Sequence, residues 1–95
     1  MPKVKVKYYL TFKEITGKRE EEIDLNGEGT VDELLKLLIK KYGKRFESSI
    51  LDENKQLSPY IRILVNEKET DTKAKLGEND VVYILFPPSG GNEVR

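Results

Sequence analysis

Three kinds of side chain in this sequence could do chemistry near neutral pH: carboxylates, lysines and tyrosines. The 95 residues contain no histidine and no cysteine. That removes the usual general base, the commonest imidazole metal ligand, the thiolate nucleophile and thiolate-held zinc. Asp32 and Glu33 form an adjacent acidic pair, but they stand where a helix begins, and the helix dipole favours acidic side chains there without any catalytic role. Glu20, Glu21, Glu22 and Asp24 carry the oxygens a hard cation needs. In a strand, however, their side chains alternate between faces, which reads as a solvated edge. Lys40, Lys41, Lys44 and Arg45 are a basic run of the kind that touches phosphate, placed at the end of the same helix, where positive charge complements the dipole. One further group is a backbone group: the segment Pro87-Pro88-Ser89-Gly90-Gly91 offers a flexible chain behind a stiff one.

The elements that must position these groups follow from periodicity. Lys3 to Leu10 alternates strictly, with Val4, Val6, Tyr8 and Leu10 on one face and Lys3, Lys5, Lys7 and Tyr9 on the other, the pattern of a half-buried strand. Thr11 to Thr16 reads as one helical turn or a compact loop closed by Gly17. Arg19 to Leu25 alternates more weakly and suits an edge strand, where charge discourages pairing with another chain. Thr30 and Glu33 fit a capping box, and Val31, Leu34, Leu35, Leu38 and Tyr42 then follow helical spacing until Gly43. Lys44 to Pro59 reads as a loop with one short helical turn, anchored by Phe46, Ile50, Leu51 and Leu57. Tyr60 to Val65 returns to strand periodicity, Asn66 to Glu69 is a turn, and Thr70 to Lys75 crosses over, with Leu76 an anchor. Val81 to Phe86 is apolar throughout, as expected of a central strand covered partly on both sides.

One helix cannot cover two faces of a sheet. The order strand, strand, helix, strand, crossover, strand therefore predicts an α+β fold, a mixed four- to five-stranded sheet curled around one main helix in the β-grasp arrangement, with the first and last strands adjacent at its centre. Residues 1–86 form that domain and residues 87–95 a tail. Alternation puts Tyr9, Arg62, Leu64, Tyr83 and Leu85 on the sheet face away from the helix, beside Lys5 and Lys7, an apolar patch rimmed with charge that suits a protein partner. Lysine plus arginine and aspartate plus glutamate number 17 each, for a net charge of zero, so no basic surplus advertises nucleic acid as a partner. No apolar run is long enough to cross a membrane, and a cytoplasmic protein is expected.

With the tail added, the chain resembles the MoaD and ThiS sulfur carriers, ubiquitin-like relatives among which it is most similar to MoaD, the small subunit of molybdopterin synthase. The resemblance rests on the aromatic pair Tyr8-Tyr9, on Lys13-Glu14-Ile15-Thr16-Gly17, on Thr30, Val31 and Leu34 at the helix start, and on Val65-Asn66. Asp80, Val82, Pro87, Pro88, Ser89, Gly90 and Gly91 complete it. Lys13 stands where that family usually has arginine, which changes a planar fork into a point charge.

The resemblance implies a carrier and not an enzyme acting through its own side chains, with no cofactor and no metal of its own. A ubiquitin-activating-type adenylating enzyme would convert the Gly91 carboxylate to an acyl adenylate, a sulfur donor would make the thiocarboxylate, and the large subunit of molybdopterin synthase would receive the carrier. Gly90 and Gly91, lacking Cβ atoms, suit passage through a narrow channel. Pro87 and Pro88 would hold the tail off the body and limit the entropy lost on insertion, with Ser89 between. Tyr9, Lys13, Arg62, Leu64, Tyr83 and Leu85 would meet the partner. Four residues, Asn92 to Arg95, follow Gly91, and a processing protease is expected to remove them. Two other classes stand beside this one: a protein modifier joined to lysines through Gly91, and a ubiquitin-like interaction domain with an inert tail.

Overall fold

The computed structural model describes residues 2–86; the expectations for Pro87, Pro88, Ser89, Gly90, Gly91 and the four residues after them lie outside that range. The chain runs β1 (Lys3–Tyr8), α1 (Thr11–Thr16), β2 (Glu20–Asp24), α2 (Val31–Tyr42), α3 (Lys44–Ile50), β3 (Arg62–Val65), β4 (Lys68–Thr70) and β5 (Val81–Leu85). The five strands form one sheet in the order β2-β1-β5-β3-β4. β1 and β5 are parallel at the centre, and the other pairings are antiparallel. This is the mixed β-grasp sheet that the order of elements predicts.

One face of the sheet is covered. Val4, Val6 and Tyr8 of β1, Ile63 of β3 and Val82 and Ile84 of β5 pack against Val31, Leu34, Leu35 and Leu38 of α2, with Phe12, Phe46 and Ile50 closing the end. Helix α2 begins where the spacing places it. The Thr30 hydroxyl accepts from the Glu33 amide at 3.1 Å, a cap worth about 1 kcal/mol. The other half of the expected capping box differs. The Glu33 carboxylate reaches past Thr30 to accept from the amides of Asn26, Gly27 and Gly29 at 3.1, 2.7 and 2.6 Å, so it organises the glycine-rich loop that leads into the helix.

Three further expectations change. Leu10 does not continue the buried face of β1: it is 72% exposed at φ 52°, because the strand ends at Tyr8 and the chain turns. The segment after Gly43 is a seven-residue helix, not a loop with a single turn, since Gly43 at φ 85° and ψ −155° lets α3 start at once in a new direction. The turn expected over Asn66 to Glu69 is only Asn66-Glu67, both at positive φ. That is the two-residue hairpin geometry with the twist that adjacent strands need. Lys68–Thr70 then pairs back on β3.

Candidate functional site

The uncovered face of the sheet carries its side chains in rows fixed by strand register. Lys7 lies opposite Tyr83 and Lys5 opposite Val81; Tyr83 in turn lies opposite Leu64, and Leu85 opposite Arg62. Tyr9 continues the row, its ring stacked on Tyr83 with centroids 6.3 Å apart and planes 8° from parallel. The structure thus brings Tyr9, Arg62, Leu64, Tyr83 and Leu85 together beside Lys5 and Lys7, as alternation places them. The Lys7 ammonium sits 5.8 Å from the Tyr83 ring centroid, covering part of the aromatic surface with charge.

These charges are already matched within the sheet. Lys3, Lys5 and Lys7 lie opposite Asp24, Glu22 and Glu20, and Lys5 approaches Glu20 at 3.4 Å. Arg62 holds Glu69 at 2.7 Å. Exposed pairs of this kind stabilise by only about 0–1 kcal/mol each. Their effect is to set a pattern: an acidic row, a basic row, then a partly buried apolar strip. The four acidic residues considered for cation binding are accordingly divided, with Glu20, Glu22 and Asp24 facing out and Glu21 facing in.

Lys13 lies on α1 at one end of this face. It lines an open cleft of about 460 Å³ with Lys7, Tyr8, Tyr9, Arg19 and Glu20. Among the described residues, neither Lys13 nor Arg19 forms an ion pair. At the same end the last described residue, Phe86, stacks on buried Phe12 with ring centroids 5.1 Å apart. Phe12 meets Phe46, Phe46 meets Tyr42, and Tyr42 meets Tyr8 edge-on. An aromatic string therefore anchors the point where the chain leaves the sheet to the core beneath α2.

At the far end of that string lies a group that alternation alone could have found. Glu21 shares a strand face with Ile23 and Leu25, and its side chain is only 7% exposed. Its carboxylate accepts from the hydroxyls of Tyr8 and Tyr42 and from the ammonium groups of Lys41 at 2.6 Å and Lys18 at 3.1 Å. Burial alone would raise its pKa. The donors outweigh burial and hold it at about 2, below the ordinary 4.5. Burial, together with the Glu21 charge, pushes the Tyr42 hydroxyl up to about 12 and the Tyr8 hydroxyl up as well. All four donors are committed to one acceptor, so the cluster is a structural clip and offers no free base.

The model of the ThiS family matches residues 6–91. The structure is similar to a protein classed as molybdopterin converting factor, subunit 1, from Pyrococcus furiosus, at 30% identity and a TM-score of 0.75, covering 92% of this chain and 99% of the other. It is similar to small archaeal modifier protein 1 from Methanosarcina acetivorans, at 30% identity and a TM-score of 0.81, covering 96% and 98%. The protein of the same name from Haloferax volcanii, at 24% identity, shares the fold with a TM-score of 0.84 over 94% and 99%. No curated protein matches the sequence. Among the described residues, no helix is long and apolar enough to cross a membrane.

Proposed function

The chain belongs to the ThiS family, and from that premise we propose that it carries sulfur on the carboxyl group of Gly91. The observation that supports this most strongly is that the family match runs through Gly90 and Gly91 in a chain without histidine or cysteine. A backbone carboxylate needs neither residue. Its oxygen attacks the α-phosphorus of ATP and pyrophosphate leaves. Hydrosulfide then attacks the acyl carbon, AMP leaves, and a thiocarboxylate remains. Gly91 is joined to Asn92 in this sequence, so a protease cuts after Gly91 before the carboxyl can react.

The outer sheet face is the docking surface for the adenylating enzyme, with Tyr83 and Leu85 as apolar anchors, Tyr9 and Leu64 extending the strip, and Arg62 and Lys13 at its margin. Pro87 and Pro88 space the tail from the body, and Ser89 and Gly90 enter the partner's channel. The sulfur acceptor is a molybdopterin precursor, of either the molybdenum or the tungsten cofactor, bound to the large subunit of molybdopterin synthase. Similarity to the Pyrococcus furiosus protein supports this choice. The test is pyrophosphate release from ATP by a matching adenylating enzyme with the chain cut after Gly91 and sulfide present. Replacing Tyr83 and Leu85 together by glutamate should abolish pyrophosphate release while the circular dichroism spectrum stays unchanged. Release at the normal rate removes the docking assignment.

Similarity to small archaeal modifier protein 1 at the same 30% identity favours a second reading, in which a lysine amine of another protein attacks the same acyl adenylate and an isopeptide bond forms. Blots of native cells for a tagged chain separate the two. Conjugates of many sizes support the modifier, and a single free species supports the carrier.

A further inference from the structure

Only three large apolar side chains are strongly exposed among the described residues: Tyr9 at 43%, Leu10 at 72% and Tyr60 at 68%. All three lie at one end of the sheet. Tyr9 and Leu10 follow Tyr8, which is opposite Ile84 of β5, and Tyr60 precedes β3, whose Arg62 is opposite Leu85. They therefore stand on either side of the root of the tail at Phe86, about 10 Å apart across two strand spacings.

Leu10 is also held against its own preference. At φ 52° and ψ −118°, with the Phe12 amide donating to the Tyr9 carbonyl at 3.1 Å, it occupies the first central position of a type II′ turn, where glycine is favoured. A leucine there costs backbone strain and gains no burial in this chain.

We infer that Leu10 and Tyr60, with Tyr9, form an apolar collar around the root of the tail that seats on the adenylating enzyme at the mouth of its tail channel. The inference rests on the reading that Gly91 is adenylated. Chain geometry names the occupant. Gly91 lies five residues beyond Phe86, a span of at most about 18 Å, so an enzyme that encloses the Gly91 carboxyl and ATP must cover the surface around Phe86. Among the described residues Lys13 and Arg19 form no ion pair and line the cleft beside Tyr9, so they make the rim of the collar basic and call for an acidic rim on the enzyme. Tyrosines are among the side chains that carry binding energy at such centres, and the fixed turn holds the exposed leucine beside them.

The experiment measures steady-state pyrophosphate release from ATP, with sulfide present, for the chain cut after Gly91 and for its Leu10→Gly and Tyr60→Ser variants. Each variant should raise KM about tenfold with kcat unchanged. Leu10→Gly should at the same time hold or raise the melting temperature, since it relieves the turn, a combination that a merely structural leucine would not give. KM within about twofold of the parent for both variants overturns the collar, as does a fall in kcat at constant KM. If the parent chain itself yields no pyrophosphate, the adenylation reading fails and the collar fails with it. An active parent with insensitive variants rejects the collar alone.

Discussion

Glu21 shows how one residue can tie an edge strand to the rest of the molecule. Its carboxylate, nearly enclosed, takes hydrogen bonds from Tyr8 in the neighbouring strand, from Tyr42 and Lys41 at the end of α2, and from Lys18 in the loop before β2. Replacement by glutamine keeps the shape and removes the charge. The expected loss is about 2–3 kcal/mol at pH 7, the magnitude of hydrogen bonds to a charged group. Because the folded-state pKa of about 2 lies below the ordinary 4.5, the stabilisation is complete above pH 4.5 and is lost as the pH falls toward 2. Urea unfolding should therefore show a gap between the parent and Glu21→Gln that is wide at pH 7 and has narrowed at pH 3. A constant gap would show that the charge is not what the clip uses. At the same scale Leu10 works in the opposite direction, with a strained backbone that holds an apolar side chain in water.

At the scale of elements, the junction between α2 and α3 depends on one glycine. Gly43 takes φ 85° and ψ −155° and still donates its amide to the Ile39 carbonyl at 2.7 Å. A Cβ there would meet no atom within 4 Å, so the cost of Gly43→Ala is backbone strain alone. About 1–3 kcal/mol should be lost, read as a lower urea midpoint at unchanged slope. The long-period elements were legible in the sequence because their patterns are strong: β1 alternates without a break, α2 has both cap and spacing, and β5 is a continuous apolar run. What was not legible has a physical cause in each case. Helix α3 buries only Phe46 and Ile50, too few residues to show a period. β4 is three residues long and has no buried side chain, and its hairpin uses Asn66-Glu67 where glycine would have signalled the turn. Leu10 looks like a strand residue until the position where β1 ends is known.

For the whole molecule, the division of labour is between a packed inner face and a chemically sparse outer one. The outer strip of Tyr9, Tyr83, Leu64 and Leu85 could be read from alternation, since a two-residue period fixes faces without any knowledge of topology. Lys13 came from the family resemblance, and Leu10 and Tyr60 became candidates only when register placed them at the root of the tail. The chain has zero net charge, and across β1 and β2 its charges stand in paired rows, Lys3, Lys5 and Lys7 opposite Asp24, Glu22 and Glu20. Under the proposed function all of this serves a group that no side chain supplies. Intact mass spectrometry decides whether Gly91 becomes a thiocarboxylate. The chain cut after Gly91 is incubated with ATP, a matching adenylating enzyme and sulfide. The account predicts a mass gain equal to replacement of one oxygen by sulfur, confined to the C-terminal peptide. An unchanged mass under conditions in which AMP is formed would contradict it.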